Sequence, residues 1–412
     1  MSITRLRTVL QSTLRVRLES TLQVARSVNN LSARRQAELA RKGKGPVPAK
    51  NATPVQQIGS RDWTLRPVDL LHKIGSLTTP STVNLAKLSA SWATRRYFWA
   101  IAETIPPENR FLLSNDAREL DFHQKNLLSD EFGMGFAGLV LEKEFGACNC
   151  VDISIALGSP AAYDDIAQMG RMQPDYLMSS AAPNSPYFVV ECKGSQTGRY
   201  VSYDQMRRGL EQVRSITFGN GAQQVVTLVL ATCMEEDGTT VFVIDPPSDG
   251  PDEPSRAAGK QENNSERLGP KSWRIEDAGA FAKRAWNAQG ASLLKWAGQY
   301  KQAAARDHEL EPWREQGVEI PLNVTLERKA TDVGAFIGAW TNAFPELGND
   351  QLRIFNGVEE ELFARIEEGT DAAYGTAIEI QSNLQQVLQG RREQSPFTSF
   401  SANGSCMIIE GL

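Results

Sequence analysis

The sequence predicts an α/β protein, and two observations carry that prediction. Runs of strand length that are rich in β-branched and aromatic residues occur at 148–157, 187–193, 224–234 and 239–244. Stretches with apolar residues at helical spacing lie at 127–145 and 202–216, before the first run and between the second and third. With one more strand expected ahead of the turn that precedes residue 187, the order is helix, three strands, helix and two strands.

Composition sets the broad class of the protein. A length of 412 residues suggests two or three domains, and a chain that is 41% hydrophobic and 23% charged is typical of globular proteins. No apolar run reaches the roughly 18 residues that a membrane span requires, so no membrane partner is predicted. The five cysteines are an odd number and do not indicate a disulfide framework. A cytoplasmic location is favoured, because the N-terminus also lacks the apolar core of a signal peptide.

Residues 1–55 are predicted to form a basic amphipathic helix and a linker. The first 50 positions contain eleven Lys and Arg residues but only two Glu residues. Leucines recur every four residues, which predicts a helix over 3–40 with one apolar stripe: Leu6, Leu10, Leu14, Leu18 and Leu22. The Gly- and Pro-rich stretch 42–54 is typical of a linker. Three roles stay open for the helix: packing on a partner or a second copy, binding nucleic acid, and targeting.

The chemistry-bearing residues fall between 173 and 195. The strand 187–193 ends in Glu191, Cys192 and Lys193, and alternation along a strand places the first and third of these on one face. Charges at the end of an apolar strand are costly unless they have a partner or a function. A hairpin with its turn near residue 184 would bring Asp175 beside Glu191. Two carboxylates and a lysine at one place can hold Mg²⁺ and orient a water molecule.

At these residues the chain resembles the PD-(D/E)XK nuclease superfamily. Pro174 and Asp175 match its PD element, and Glu191 to Lys193 match its ExK element. The resemblance implies a restriction-endonuclease-like αβ sandwich core at 125–245 and says nothing about the rest of the chain, where the residue patterns predict helical N-terminal and C-terminal regions. It also implies a nuclease that depends on Mg²⁺ or Mn²⁺ and cuts DNA, with RNA as the second choice of substrate. Asp175 and Glu191 would be the metal ligands together with the backbone carbonyl of Cys192, and Lys193 would be the third catalytic residue.

The same resemblance suggests supporting residues on the two flanking helices. Glu131, near the start of the first helix, is the candidate for an additional acidic ligand, although a glutamate there is also stabilised by the helix dipole alone. Gln205 and Arg208, on the second helix, are candidates for contacts with nucleic-acid phosphates. Gly133, Gly135 and Gly138 weaken the first helix, which we interpret as allowing it to pack closely on a sheet.

The remaining segments give no recognisable motif. Residues 56–124 are predicted to be helical, 246–271 to be a flexible linker or loop, and 272–412 to be a mainly helical domain. Within the last segment the patterns predict helices at 276–306, 335–344 and 358–388 and strands at 318–326 and 406–412.

The large flanks favour a homo-oligomer or a subunit of a bacterial restriction or antiviral defence complex. The alternative is a nuclease-like module without activity, which would serve binding or assembly.

Overall fold

The computed structural model describes residues 3–45, 51–78, 92–101, 108–153, 155, 173–180, 185–213, 216–218, 225–246, 273–275, 278–310, 324–342, 352–391 and 395–411. The protein is a mixed α/β structure, as the sequence predicts. Among the described residues, no helix combines the length and apolar character needed to cross a membrane. The predicted linker at 246–271 lies outside these residues except for Pro246.

A large mixed sheet forms the centre of the molecule. Its strands are β1 (Leu14–Glu19), β2 (Thr53–Pro54), β3 (Ser60–Leu65), β4 (Ala147–Asp152), β5 (Tyr176–Ser180), β6 (Tyr187–Ser195), β8 (Val225–Glu235) and β9 (Gly238–Asp245). The spatial order is β3-β1-β9-β8-β6-β5-β4, and β2 pairs with β9. The pairs β6–β8 and β1–β9 are parallel, and the remaining pairs are antiparallel.

Two smaller sheets and the helices complete the fold. The short strands β7 (Ile216–Phe218) and β10 (Trp273–Ile275) pair in parallel, and an antiparallel sheet has the order β11-β12-β13-β15-β14. These five strands are β11 (Glu327–Ala330), β12 (Ala335–Asn342), β13 (Arg353–Glu359), β14 (Thr398–Phe400) and β15 (Ser405–Glu410). The α-helices are α1 (Ile3–Gln11), α2 (Leu22–Arg41), α3 (Pro67–Leu77), α4 (Trp92–Tyr97), α5 (Asn115–Arg118), α6 (Phe122–Phe145), α7 (Arg199–Val213), α8 (Ala278–Trp296), α9 (Tyr300–Leu310), α10 (Glu360–Glu368) and α11 (Asp371–Gly390).

The predicted order of elements in the central segment is confirmed. Helix α6 precedes β4, β5 and β6, helix α7 follows, and the strands β8 and β9 come after it with the short β7 inserted. Helix α6 begins after Asp121, whose side chain accepts hydrogen bonds from the N–H groups of His123 and Gln124. It ends at Gly146, which has a φ of 67° and a left-handed conformation that glycine adopts without strain.

The prediction of one helix over residues 3–40 is wrong. Strand β1 interrupts it and joins the main sheet between β3 and β9, with Leu14, Val16 and Leu18 buried. The leucine spacing of four is an even number, so it satisfies the two-residue alternation of a strand as well as the helical period. Arg15 and Arg17 alternate with the buried residues and reach Asp62 on β3 at 3.6 and 3.4 Å. The described residues 3–45 therefore contribute a strand to the central sheet and do not form a separable arm.

The C-terminal region also differs from the prediction of a mainly helical domain. Residues 335–342 form the strand β12, because the short apolar run AFIGAW fits a strand as readily as one turn of a buried helix. The helix expected at 276–306 is two helices, α8 and α9. The strand at the C-terminus and helical structure between 360 and 390 agree with the prediction.

One hydrophobic core joins the N-terminal, central and C-terminal parts of the chain. The same cluster of buried side chains contains Leu10 of α1, Phe136 of α6, Leu293 of α8, Ile354 of β13 and Met407 of β15. The burial of these side chains against one another is the main force that holds the central sheet and the C-terminal sheet together.

Candidate active site

The hairpin of β5 and β6 brings Asp175 and Glu191 together, as the sequence predicts. The register pairs Tyr176 with Val190 and Leu177 with Val189. Continued by one position, this register sets Asp175 opposite Glu191, on the same face of the sheet.

The backbone and side chain of Asp175 are both held by neighbouring strands. Its N–H donates to the carbonyl of Val190 at 3.1 Å, and its carbonyl accepts from the N–H of Ile153 at 3.2 Å. Its Oδ2 accepts from the N–H of Cys192 at 2.8 Å. Burial raises the pKa of this carboxyl group, and the charge of Lys193 and the hydrogen bond from Cys192 oppose the rise.

Glu191 is the most enclosed carboxylate of the site. The residue is 0% exposed, and its Cγ is 3.1 Å from the position that a Cβ on Gly209 of α7 would take. Burial raises its pKa to about 8, with a further contribution from Asp175, while Lys193 opposes the rise. Oε1 forms an ion pair with Lys193 Nζ, and a hydrogen bond from the backbone N–H of Asp175 also opposes the rise, which leaves part of the acceptor capacity of the carboxylate unused. A carboxylate in this state is a candidate for a further ligand.

Lys193 lies between the two carboxylates and solvent. Its side chain is 23% exposed, compared with none of Glu191. Burial acts to lower the pKa of its ammonium group, but the Glu191 and Asp175 carboxylates outweigh burial and raise the pKa above its usual value. Lys193 is therefore a charged group that reaches the surface from a buried acidic pair.

Beyond the end of its pairing with β5, the edge of β6 presents backbone groups toward Asp175. The N–H and carbonyl of one strand residue point to the same edge, so the carbonyl of Cys192 faces the side on which its N–H meets Asp175. Two residues further on, the carbonyl of Gly194 accepts a hydrogen bond from Gln205 Nε2 at 3.0 Å. Gln205, expected to contact phosphate, therefore holds the end of β6 in place, and its Oε1 is buried without a hydrogen-bond partner in the described part of the chain.

The structure places Asp130, and not Glu131, beside the catalytic candidates. Glu131 accepts a hydrogen bond from the hydroxyl of Tyr97 on α4, away from the Asp175–Glu191 pair. Asp130 is exposed, partial burial raises its pKa, and Lys193 is the charge that opposes the rise. Adjacent helical residues point about 100° apart, so only one of the two acidic side chains can face β6.

The glycines of α6 explain which face of the helix meets β6. A Cβ on Gly133 would lie 2.7 Å from the carbonyl oxygen of Lys193, so helix and strand are in backbone contact there. Gly135 and Gly138 instead approach the side chains of α3, so only the first of the three glycines packs on the sheet. Asp130 shares the face of Gly133 at a spacing of three, which is a signal that the sequence contained.

The remaining candidate, Arg208, lies on the exposed surface of α7. Its side chain is 61% exposed and pairs with Asp204 at 3.1 Å. Its neighbour Arg207 is buried and is held by Asp204 and Glu211 at 2.8 and 2.7 Å, so Arg207 has a structural role. Arg208 is thus free to exchange a solvent-exposed partner for another anion.

The metal-ligand chemistry of the site rests on two acidic side chains. Within the described ranges, no group of three or more His, Cys, Asp or Glu side chains is placed to share a metal ion. Asp175 and Glu191 offer oxygen ligands of the kind that Mg²⁺ prefers, and a third would come from the backbone of Cys192. The thiol of Cys192 is buried, and burial raises its pKa well above its usual value, so the neutral thiol is the favoured form.

No protein-family model, no curated protein and no solved structure matches this chain. The functional reading of the site therefore depends on its geometry and chemistry.

Proposed function

We propose that this protein is a metal-dependent nuclease of the PD-(D/E)XK type that hydrolyses phosphodiester bonds in DNA. The observation that carries the proposal is the fully buried Glu191, which lies close to a second carboxylate, that of Asp175, and pairs with Lys193. A buried carboxylate with unused acceptor capacity fits a divalent cation, which would also favour its ionised form.

In this proposal Asp175, Glu191 and the carbonyl of Cys192 would hold Mg²⁺ or Mn²⁺ beside β6. The chemistry that such an ion supplies is the activation of water and the neutralisation of phosphate charge. The N–H of Cys192 fixes the orientation of Asp175, and the hydrogen bond from Gln205 to Gly194 fixes the end of the strand. Lys193 would stabilise the negative charge that develops on the attacked phosphate.

Asp130 and Arg208 extend the proposal beyond the two ligands. Asp130 faces Lys193 from α6 and would orient its ammonium group or reach the ion through water. Arg208 is exposed on α7 and would contact a phosphate of the nucleic-acid backbone. These residues are supporting groups in the proposal, since neither replaces Asp175 or Glu191.

A second candidate function is a nuclease-like module that binds nucleic acid or partner proteins without cutting. The observation that favours it is the small number of acidic ligands, since the described residues bring only two carboxylates into the buried pair. The burial of Glu191 beside Asp175 weighs against it, because a module that only binds gains nothing from two carboxylates that are buried close together and repel each other.

The direct test is a cleavage assay on plasmid DNA, single-stranded DNA and RNA with MgCl₂, with MnCl₂ and with EDTA. We expect cleavage of DNA that needs the divalent ion and is lost in Asp175→Asn and Glu191→Gln. The matched control is Glu361→Gln, which removes a surface carboxylate of α10 that is 59% exposed. Folded wild-type protein that cuts none of these substrates with either metal would refute the nuclease and leave the binding module.

A further inference from the structure

A cavity of about 550 Å³ lies between the central and C-terminal sheets, far along α6 from Asp130. One wall is formed by the end of β3, by α3 and by the last turns of α6. The other wall is formed by the end of α11, by β14 and by residues 401–402. Its volume falls in the range of about 300–1,000 Å³ that is typical of small-molecule sites in proteins.

The charged side chains that line this junction cavity are predominantly cationic. The cationic side chains are those of Arg66, Lys73, Lys143 and Arg391, and the anionic ones are those of Asp69 and Glu142. His72 also lines the cavity, and burial lowers its pKa well below the usual value, so it adds no charge at neutral pH. The cavity therefore has two more cations than anions.

Both carboxylates of the cavity are already used by the protein. Glu142 pairs with Lys73 and accepts hydrogen bonds from Ser401 Oγ at 2.9 Å and from the N–H of Ala402 at 2.7 Å. Asp69 accepts from Arg66 Nε at 3.0 Å and from Ser399 Oγ at 2.9 Å. Arg66 and Lys73 are consequently neutralised by their own partners.

Arg391 and Lys143 are the cations that could still donate hydrogen bonds to a ligand. Arg391 pairs through Nη2 with Asp332, which is 67% exposed, while its Nη1 is buried and has no hydrogen-bond partner within the described residues. The Nζ of Lys143 lies 4.0 Å from Asp69 Oδ2 and 5.1 Å from the ring centre of Trp63, so it is only weakly paired. A buried donor without a partner costs free energy that an anionic ligand would recover.

We propose that the junction cavity binds a phosphorylated small molecule of nucleotide size. Arg391 and Lys143 contact its phosphate, because a guanidinium fork and an ammonium group are the side chains best suited to phosphate oxygens. Phe400 and Leu139 provide apolar wall for the rest of the ligand. Since Lys143 and Arg391 come from opposite walls, the ligand connects the central part of the fold with the C-terminal sheet.

The proposal is tested by calorimetry and thermal unfolding of the full chain with AMP, pyrophosphate and adenosine as probes. EDTA is present throughout, so that the carboxylate pair of the candidate active site holds no divalent ion. We expect AMP and pyrophosphate to bind and to raise Tm, since a ligand that binds only the folded state stabilises it. Adenosine has no phosphate and is expected to bind at least about tenfold more weakly than AMP.

Single substitutions locate the binding. Arg391→Gln and Lys143→Gln should each weaken AMP binding at least about tenfold, and Lys143 is exposed enough for its variant to fold normally. Glu191→Gln should bind AMP as the wild type does, which separates this cavity from the candidate active site. Arg365→Gln is the control for the loss of an exposed cation on α10. The proposal is overturned if neither AMP nor pyrophosphate binds at about 1 mM, or if both cavity variants bind AMP with unchanged affinity.

Discussion

In the part of the chain that the structure describes, the pairs Lys73–Glu142 and Lys193–Glu191 each contain one buried member, and they differ in how completely their carboxylates are bonded. Glu142 pairs with Lys73 and also accepts from Ser401 and from the N–H of Ala402. Glu191 pairs with Lys193 and has the backbone N–H of Asp175 as a further donor, but no serine or second backbone N–H bonds it among the described residues. Moreover, Glu191 lies close to a second carboxylate, that of Asp175, which raises its pKa further.

This difference separates a structural ion pair from a candidate site. A buried charge is tolerated where partners replace the hydrogen bonds of water, as they do at Glu142. At Glu191 the lysine compensates only part of that loss, and burial together with Asp175 makes the ionised form unfavourable. Such a carboxylate is costly for stability and is therefore expected to serve binding or catalysis.

The largest expected effect is on stability, and it distinguishes the two pairs directly. Glu142→Gln leaves the buried ammonium of Lys73, which is 3% exposed, without a counter-charge. Removing one partner of a buried pair costs about 3–5 kcal/mol. Glu191→Gln relieves repulsion with Asp175, so we expect a change of less than about 1 kcal/mol or a gain in stability. Urea unfolding of both variants checks this, and equal losses would show that the two pairs have the same role.

The second prediction concerns the lysine of the candidate site. Lys193→Ala should lower kcat for DNA cleavage by about 10²–10³, because losing one group that stabilises the developing charge has a cost of that order. Lys193→Arg should not restore the rate, since a planar guanidinium does not replace a compact ammonium group. Steady-state kinetics at saturating Mg²⁺ measures both. A normal kcat together with weaker metal binding would contradict this role and show that Lys193 acts in metal binding.

The third prediction uses the close contact between α6 and β6. Gly133→Ala places a methyl group 2.7 Å from the carbonyl oxygen of Lys193, and such overpacking costs about 1–3 kcal/mol. We expect cleavage to fall as well, because the end of β6 must shift. Gly375 of α11 is exposed with no atom within 4 Å of a Cβ, so Gly375→Ala should raise stability by up to about 1 kcal/mol. Equal effects of the two substitutions in thermal unfolding would show that the α6 contact is not tight.

The smallest expected effect is the pH dependence of stability at the junction. His72 is buried, its ring nitrogens lie 3.0 Å from the hydroxyls of Ser399 and Ser405, and burial lowers its pKa well below 6.5. The unfolded chain therefore binds a proton on this residue that the folded chain does not. The contribution of His72 to the free energy of unfolding is therefore fully present above about pH 6.5. Below that pH it decreases by up to about 1.4 kcal/mol per pH unit.

This dependence is measured as the difference between wild type and His72→Gln in urea unfolding at pH 7.5 and 5.5. His123→Gln, which changes an exposed histidine, should keep the wild-type dependence. If His72→Gln also loses the same stability on acidification, the effect arises from other groups.

The sequence predicts the local arrangement of the candidate site well. The apolar run before Glu191 and the hairpin that returns from Asp175 are local features, so their pairing follows from alternation and from the turn between them. Asp130 was missed, because choosing between it and Glu131 requires knowing which face of α6 meets β6. Gly133 marks that face, but the sequence does not say that its neighbour is the backbone of Lys193.

The parts that could not be predicted depend on contacts distant in sequence. Strand β1 follows a leucine pattern that also fits a helix, and only its pairing with β3 and β9 decides between them. The run at 335–342 has the same ambiguity, which its pairing with β13 removes. The junction cavity is formed by residues as far apart as Arg66 and Arg391, so no local pattern contains it.

The most direct test of the central claim is a calorimetric titration with MgCl₂ and MnCl₂ of wild type, Glu191→Gln and Glu142→Gln. Glu191, which lies beside a second carboxylate, is predicted to be a metal ligand, and Glu142, which is bonded by Ser401 and Ala402, is not. We therefore expect the wild type and Glu142→Gln, under conditions in which both are folded, to bind one ion with the same affinity. Glu191→Gln should lose measurable binding while its circular-dichroism spectrum is unchanged. Metal binding by Glu191→Gln with wild-type affinity would contradict the account.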